Sequence, residues 1–259
     1  MEIITSKSNL KILEAKKLLD KKYRDKLGLF LVETEKVVKE ALSCGLKPKY
    51  FFVQEDKNFQ FLNEYMKKAR INQTEVIYSV SGNVLKEIST TVTPDGIVAV
   101  FEKPQQNKEY IGGKFLILDC LQNPDNFGAI MRTALACGFK QIFTINSVDE
   151  FNPKTIRASM GNQFKLDIIR IGYDEIKSLF KDARIFTMDM NGNNLFNIKS
   201  FDKNTGFVIG NEGNGISSEI RDIVKDCIAI PMQNNVESLN ASVSASVLMY
   251  YVLQKSLMS

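Results

Sequence analysis

The chain has 259 residues, of which 44% are hydrophobic, 25% charged and 10% aromatic, a globular balance that excludes a disordered or collagen-like polypeptide. It contains no histidine, so Ser-His-Asp triads, Cys-His pairs, imidazole bases and His-ligated metals or haem are all excluded. The net charge of +4 lies entirely in residues 1–110, which carry 19 Lys/Arg against 15 Asp/Glu; a solvated lysine-rich helix or a polyanion-facing end accounts for such an asymmetry.

In chain order, Ser8 to Lys22 reads as a helix with Leu10, Leu13, Leu18 and Leu19 among lysines. A second helix runs from Glu35 to Ser43 and stops at Gly45. Tyr50–Val53, Glu75–Ser79 and Ile97–Phe101 are short β-rich runs, separated by helical stretches near Asn58–Arg70 and Asn83–Ile88. Together these predict an α/β domain over 1–101. The polar, aperiodic stretch 102–113 reads as a linker, and 114–259 as a second domain.

That second domain opens with Phe115–Asp119, an apolar run suited to a strand buried on both faces. Helix Phe127–Cys137, strand Gln141–Ile145, helix Pro153–Met160, strand Leu166–Ile171 and helix Asp174–Phe180 follow. Strands Arg184–Asp189 and Gly206–Ile209, helix Ser217–Lys225, strand Cys227–Pro231 and a last helix Glu237–Leu257 complete it. This alternation predicts a parallel sheet covered on both sides, with ligands at the carboxyl ends of its strands. Cys44, Cys120, Cys137 and Cys227 form no CxxC and read as buried thiols in a reducing compartment. With no signal-peptide pattern and no apolar stretch near the ~20 residues needed to span a bilayer, a soluble cytoplasmic protein is expected.

Three loops at that strand edge carry more polarity than packing requires. The first, Asn123-Pro124-Asp125-Asn126-Phe127-Gly128, precedes Arg132 in the second helical turn, where a guanidinium reaches back to hold a phosphate. The second, Gly210-Asn211-Glu212-Gly213-Asn214-Gly215, lacks both GxGxxG spacing and a P-loop lysine; its Glu212 suits a hydroxyl or cationic ligand better than a dinucleotide. The third runs from Ile230 to Ser242 and adds Ser238 and Asn240. Helix capping alone explains single members of the set, Asn126, Ser238 or Asn240.

In this order and spacing the three loops resemble the motifs of the SpoU (TrmH-like) family of RNA ribose 2′-O-methyltransferases, within the SPOUT superfamily, over roughly 115–251. Ile4-Thr5-Ser6, Lys21-Lys22-Tyr23-Arg24 and Phe30-Leu31-Val32-Glu33 resemble that family's L30e/L7Ae-like α/β substrate-binding extension. Three positions depart from the pattern: Thr34 and Asn234 stand where glycine is usual, and Tyr251 where glutamate is common. The resemblance implies a trefoil-knotted α/β fold, with S-adenosylmethionine held by Gly210, Ile230, Met232 and Leu239. It also implies a homodimer in which Arg132 completes a composite site with Asn126, Glu212, Ser238 and Asn240. RNA is the implied partner, met by Lys21, Lys22, Arg24 and Arg132; no metal and no membrane are expected.

Methyl transfer to a ribose 2′-hydroxyl requires removal of its proton, here without imidazole. The resemblance implies Arg132 as the base, acting once a phosphate has oriented it; because guanidinium stays protonated in proteins, the other division of labour has Arg132 clamp phosphate and stabilise alkoxide charge. Glu212, or a water held by Ser238 and Asn240, then receives the proton. Ribosomal RNA of the 23S type is the expected substrate. A transfer-RNA 2′-O-methyltransferase and a non-catalytic RNA-binding or ribosome-assembly protein are the alternatives, with a nicotinamide oxidoreductase further off.

Overall fold

The computed structural model describes residues 3–70, 76–234 and 236–258; Glu75, at the start of one expected strand, lies outside them. The chain folds as two units, Met1–Gln105 together with Phe151–Phe164, and Gln106–Glu150 together with Lys165–Ser259. Among the described residues no helix is long and apolar enough to cross a membrane.

The first unit is built on a mixed sheet in the order β1 (Ile3–Ile4), β4 (Ile77–Val80), β3 (Pro48–Gln54), β5 (Ile97–Glu102) and β2 (Leu29–Glu33). The first three run parallel, and β5 lies antiparallel to both β3 and β2. Strand residues alternate between faces. Leu29 and Leu31 pack with Ile12 and Ala15 of the Leu10–Lys17 helix, whereas Phe30 and Val32 pack with Val37, Val38 and Ala41 of the Glu35–Ser43 helix.

Phe151 and Ile156 join this second core, the Phe151 ring 4.7 Å from that of Phe30. The Pro153–Ser159 helix, although it falls between two strands of the other sheet in sequence, therefore packs on β2 of the first unit.

The helix expected over Ser8–Lys22 is two helices, Leu10–Lys17 and Lys21–Leu27. Asp20 ends the first by capping the second, accepting the Lys22 amide at 2.9 Å. Thr34 follows β2 with φ of +73° and ψ of 140°. A β-branched side chain is strained there, which accounts physically for glycine being usual at this position.

The second unit carries a six-stranded sheet, parallel throughout. Its order is β11 (Asp226–Ala229), β9 (Arg184–Asn194), β10 (Thr205–Ile209), β6 (Lys114–Asp119), β7 (Gln141–Ile145) and β8 (Asp167–Arg170). Leu116 and Leu118 face a core shared with the Pro124–Ala136 and Ala241–Leu257 helices; Phe115 and Ile117 face Phe143, Phe180 and Ile220 on the other side.

Strand β9 runs five residues beyond the expected Asp189, passing so close to β11 that a Cβ on Gly192 would lie 2.5 Å from the Ile228 carbonyl carbon. The last helix begins at Ala241, because Asn240 accepts the Ser242 and Val243 amides as its cap. Among the described residues no disulfide joins the cysteines; Cys137 is buried and the other three are half-buried rather than fully enclosed.

Candidate cofactor pocket and active site

Strand β6 ends in Asp119, a fully buried carboxylate that accepts the Ser217 amide at 2.7 Å and the Tyr173 hydroxyl at 2.9 Å. Burial pushes the Tyr173 phenol well above its ordinary value, and its hydrogen bonds to Cys120 and Asp119 act in the same sense. Asp119 thus ties the first loop to the start of the Ser218–Ile223 helix. A second tie runs from Asn211, whose side-chain amide donates to the Cys120 carbonyl at 2.8 Å.

Glu212 makes the third. Its Oε1 accepts the Asn123 amide at 3.1 Å and the Asn126 side-chain amide at 3.0 Å, and its Oε2 accepts the Gln122 amide at 3.3 Å. Partial burial opposes ionisation, but these donors outweigh it, and the carboxyl is held below the usual glutamate range. A carboxylate stabilised in its charged form and spent on three N–H donors is a poor proton acceptor. In this geometry Glu212 fastens the second loop to the first.

The second loop closes on itself as a tight hairpin, Asn211 and Gly215 exchanging backbone hydrogen bonds of 2.8 and 3.0 Å. A Cβ on Gly210 would lie 2.4 Å from the Gly215 carbonyl, so only glycine permits this closure. In the third loop, Asn234 has φ of +56°. Asparagine tolerates the left-handed region better than most residues, which reconciles it with the usual glycine.

Between the second and third loops lies a cavity of about 400 Å³, within the range of small-molecule sites. Gly210, Ile230, Met232 and Leu239, the four residues expected to hold a cofactor, all line it, as do Glu212 and Ser238. Ile209, Ile228, Ile230 and Met232 supply apolar surface and the loop backbones supply donors and acceptors, a combination that fits an adenosine-bearing ligand. Among the described residues the exposed Ser238 hydroxyl makes no hydrogen bond, and so is available to a ligand or water.

Asn126 is buried and reaches the cavity only through Glu212. Asn240 spends its side-chain carbonyl oxygen on the Ala241–Leu257 helix, next to Ala241 and one turn from Ser244, which line the cavity. Arg132 is exposed, has no hydrogen-bond or ion-pair partner among the described residues, and does not line the cavity of its own chain.

Met188, Asp189 and Met190, in the middle of β9, also line it, beside Arg221, whose Nη2 donates to Asp189 at 2.5 Å. Although part-burial disfavours the charged form, this bond keeps the Asp189 carboxyl below its ordinary value. Their sequence signal is positional alone, since they stand at or just past the carboxyl end of the expected strand Arg184–Asp189, a predicted ligand edge.

In the first unit, Arg24 is not available to RNA. It is 1% exposed and donates to the Leu18 and Leu19 carbonyls at 2.8 and 2.9 Å, closing the end of the Leu10–Lys17 helix. Lys21 is exposed and paired with Asp25 at 2.5 Å; Lys22 is exposed.

Residues 113–250 match the SpoU rRNA Methylase family, and residues 9–99 match the MRM3-like substrate binding domain. The 23S rRNA (guanosine(2553)-2′-O)-methyltransferase RlmP of Bacillus subtilis is 27% identical over 257 residues, covering 97% of this chain and 99% of that one. The human mitochondrial rRNA methyltransferase 3 is 32% identical over 180 residues, covering 64% of this chain and 41% of its own. A crystal structure of an RNA 2′-O ribose methyltransferase superposes with a TM-score of 0.82 at 26% identity, covering 99% of this chain and 100% of that chain. The chain belongs to the SpoU rRNA methylase family of RNA methyltransferases.

Proposed function

We propose that this protein transfers a methyl group from S-adenosylmethionine to a ribose 2′-hydroxyl of structured RNA, and that the RNA is ribosomal and of the 23S type. The observation that carries the reading is the convergence of Gly210, Ile230, Met232, Leu239 and Ser238 on one cavity at the carboxyl end of a parallel sheet. Bound there, S-adenosylmethionine would supply an electrophilic methyl group. The full-length similarity to RlmP, first unit included, favours ribosomal over transfer RNA.

The chain's own residues divide the remaining work. Glu212 and Asp119 hold the loops in register, so that the cavity is ordered before RNA arrives. Ser238, with the side-chain N–H groups of Asn240, positions a water that takes the 2′-hydroxyl proton. Arg132 grips a phosphate and stabilises alkoxide charge. Its placement away from the cavity of its own chain supports a homodimer in which each Arg132 serves the other subunit's site. The trefoil knot and a cytoplasmic location belong to the same proposal.

Incubation with labelled S-adenosylmethionine and, separately, 23S-type rRNA and total tRNA tests it. Label in the rRNA alone is the expected result; label in tRNA alone moves the substrate to the other class. Absence of transfer to either, with RNA binding intact, favours the non-catalytic reading.

A further inference from the structure

The burial of Arg24 leaves open how the first unit meets RNA, and a different cluster there has the required chemistry. Glu33, 6% exposed at the end of β2, spends its carboxylate on one loop: it accepts from the Ser89 hydroxyl at 2.6 Å and from the Thr90 amide and hydroxyl, both at 2.9 Å. Ser89 and Thr91 share a further hydrogen bond of 2.8 Å. The strained Thr34 adjoins this acid in the chain, and strain of this kind collects where structure serves binding.

Arg157, on the Pro153–Ser159 helix of the same unit, donates to the Thr90 hydroxyl at 2.9 Å. That is its one partner among the described residues. The same Thr90 hydroxyl donates to Glu33, so the acid reaches Arg157 only through that hydroxyl, and the half-buried guanidinium keeps further N–H donors for another acceptor. Lys154 is exposed three residues earlier, on the same face of the helix. Beyond Thr90 the loop ends in Thr91, Val92 and Thr93, and Val92 is 90% exposed.

We infer that Arg157 and the Ser89–Thr93 loop form an RNA-backbone site, the guanidinium taking a phosphate while the threonine hydroxyls and Val92 meet the adjoining nucleotide. This rests on the reading of the protein as an RNA methyltransferase and names where its first unit touches the substrate. Glu33 acts as a positioning residue, because it fixes the loop whose Thr90 hydroxyl orients the Arg157 guanidinium. Charged contacts to phosphate carry much of the affinity of such interfaces and confer their salt dependence.

The test measures affinity for a 23S-type rRNA transcript over a salt series from about 50 to 200 mM, a range in which phosphate contacts separate clearly. Arg157→Gln is expected to flatten the log–log salt dependence by roughly 0.7–0.9, the share of one phosphate contact, and to weaken binding about tenfold at the low-salt end. Val92→Glu, at a position too exposed to disturb folding, is expected to weaken low-salt binding at least about fivefold, and Val92→Lys to strengthen it. Affinity for S-adenosylmethionine stays unchanged in all three. A salt slope unchanged in Arg157→Gln, or equal affinities for the two Val92 variants, overturns the site. Methyl transfer by the wild type to the same transcript is assayed in parallel, so failure of the enzymatic reading is seen separately.

Discussion

Replacing Glu212 by glutamine separates a loop fastener from a catalytic base. The carboxylate accepts from the Gln122 and Asn123 amides and from the Asn126 side chain. Glutamine retains one acceptor and presents an NH2 group to donors, so at least one N–H loses its partner. A hydrogen bond to a charged group contributes roughly 1.5–3 kcal/mol; since Glu212 is solvent-exposed, screening reduces the loss to about 1–2 kcal/mol.

If that loss falls on the order of the 210–217 loop, the dissociation constant for S-adenosylmethionine rises about 5- to 30-fold. Calorimetric titration reads it directly, alongside kcat at saturating cofactor. A fastener predicts weaker cofactor binding with much of kcat recovered at saturation. A base predicts the reverse. An unchanged dissociation constant with kcat lost and its pH profile altered would refute the reasoning.

The sign of the pH dependence follows from the same contacts. The folded carboxyl titrates below its ordinary value near 4.5. Its contribution is therefore fully present above that value and is lost as pH falls through the depressed one. Cofactor affinity should stay flat from neutral pH to about 5 and decline only in stronger acid; a decline near pH 6–7 would require another group. Thr34→Gly relieves an unfavourable backbone conformation at the cost of a 3.4 Å cap to Val37, for a net gain of about 1 kcal/mol in urea unfolding; a lower midpoint would contradict the strain. Arg132→Lys keeps charge but loses the planar fork, so turnover near the Arg132→Ala level indicates bidentate geometry, and substantial retained turnover a charge clamp. A fragment of residues 106–259 carries Phe151 and Ile156 without the core they fill, and should self-associate; a monomeric fragment on gel filtration would count against that packing.

Much of this architecture can be read from residue patterns because the strands are short and strongly apolar. Gln141–Ile145 and Glu35–Ser43 match their expected limits, and the second sheet is parallel as the alternation predicts. Boundaries failed where side chains cap. Asp20 before Lys21 is a helix-start residue inside an apparently continuous pattern, and Asn240 delays the last helix in the same way.

Tertiary choices were less legible. Arg24 looks like its lysine neighbours in sequence, yet it answers the open carbonyls of a preceding helix. Periodicity also gives no sign that the Pro153–Ser159 helix serves the first unit, since an apolar face does not name the core it fills. The three loops stood out because their polarity exceeded capping needs, and two of them do line the cavity. Asn126 and Glu212, read as reacting groups, bond to one another; that they also tie two loops together was not legible, because amides and carboxylates suit either role.

The most direct test of the central claim is where the methyl group goes. Labelled S-adenosylmethionine and 23S-type rRNA are incubated with the wild type and with Arg132→Ala, and the product is digested with alkali, which spares a linkage whose 2′-oxygen is methylated. The account predicts label in one alkali-resistant dinucleotide with the wild type and none with Arg132→Ala. Label on a base, or equal transfer by the two proteins, would contradict it.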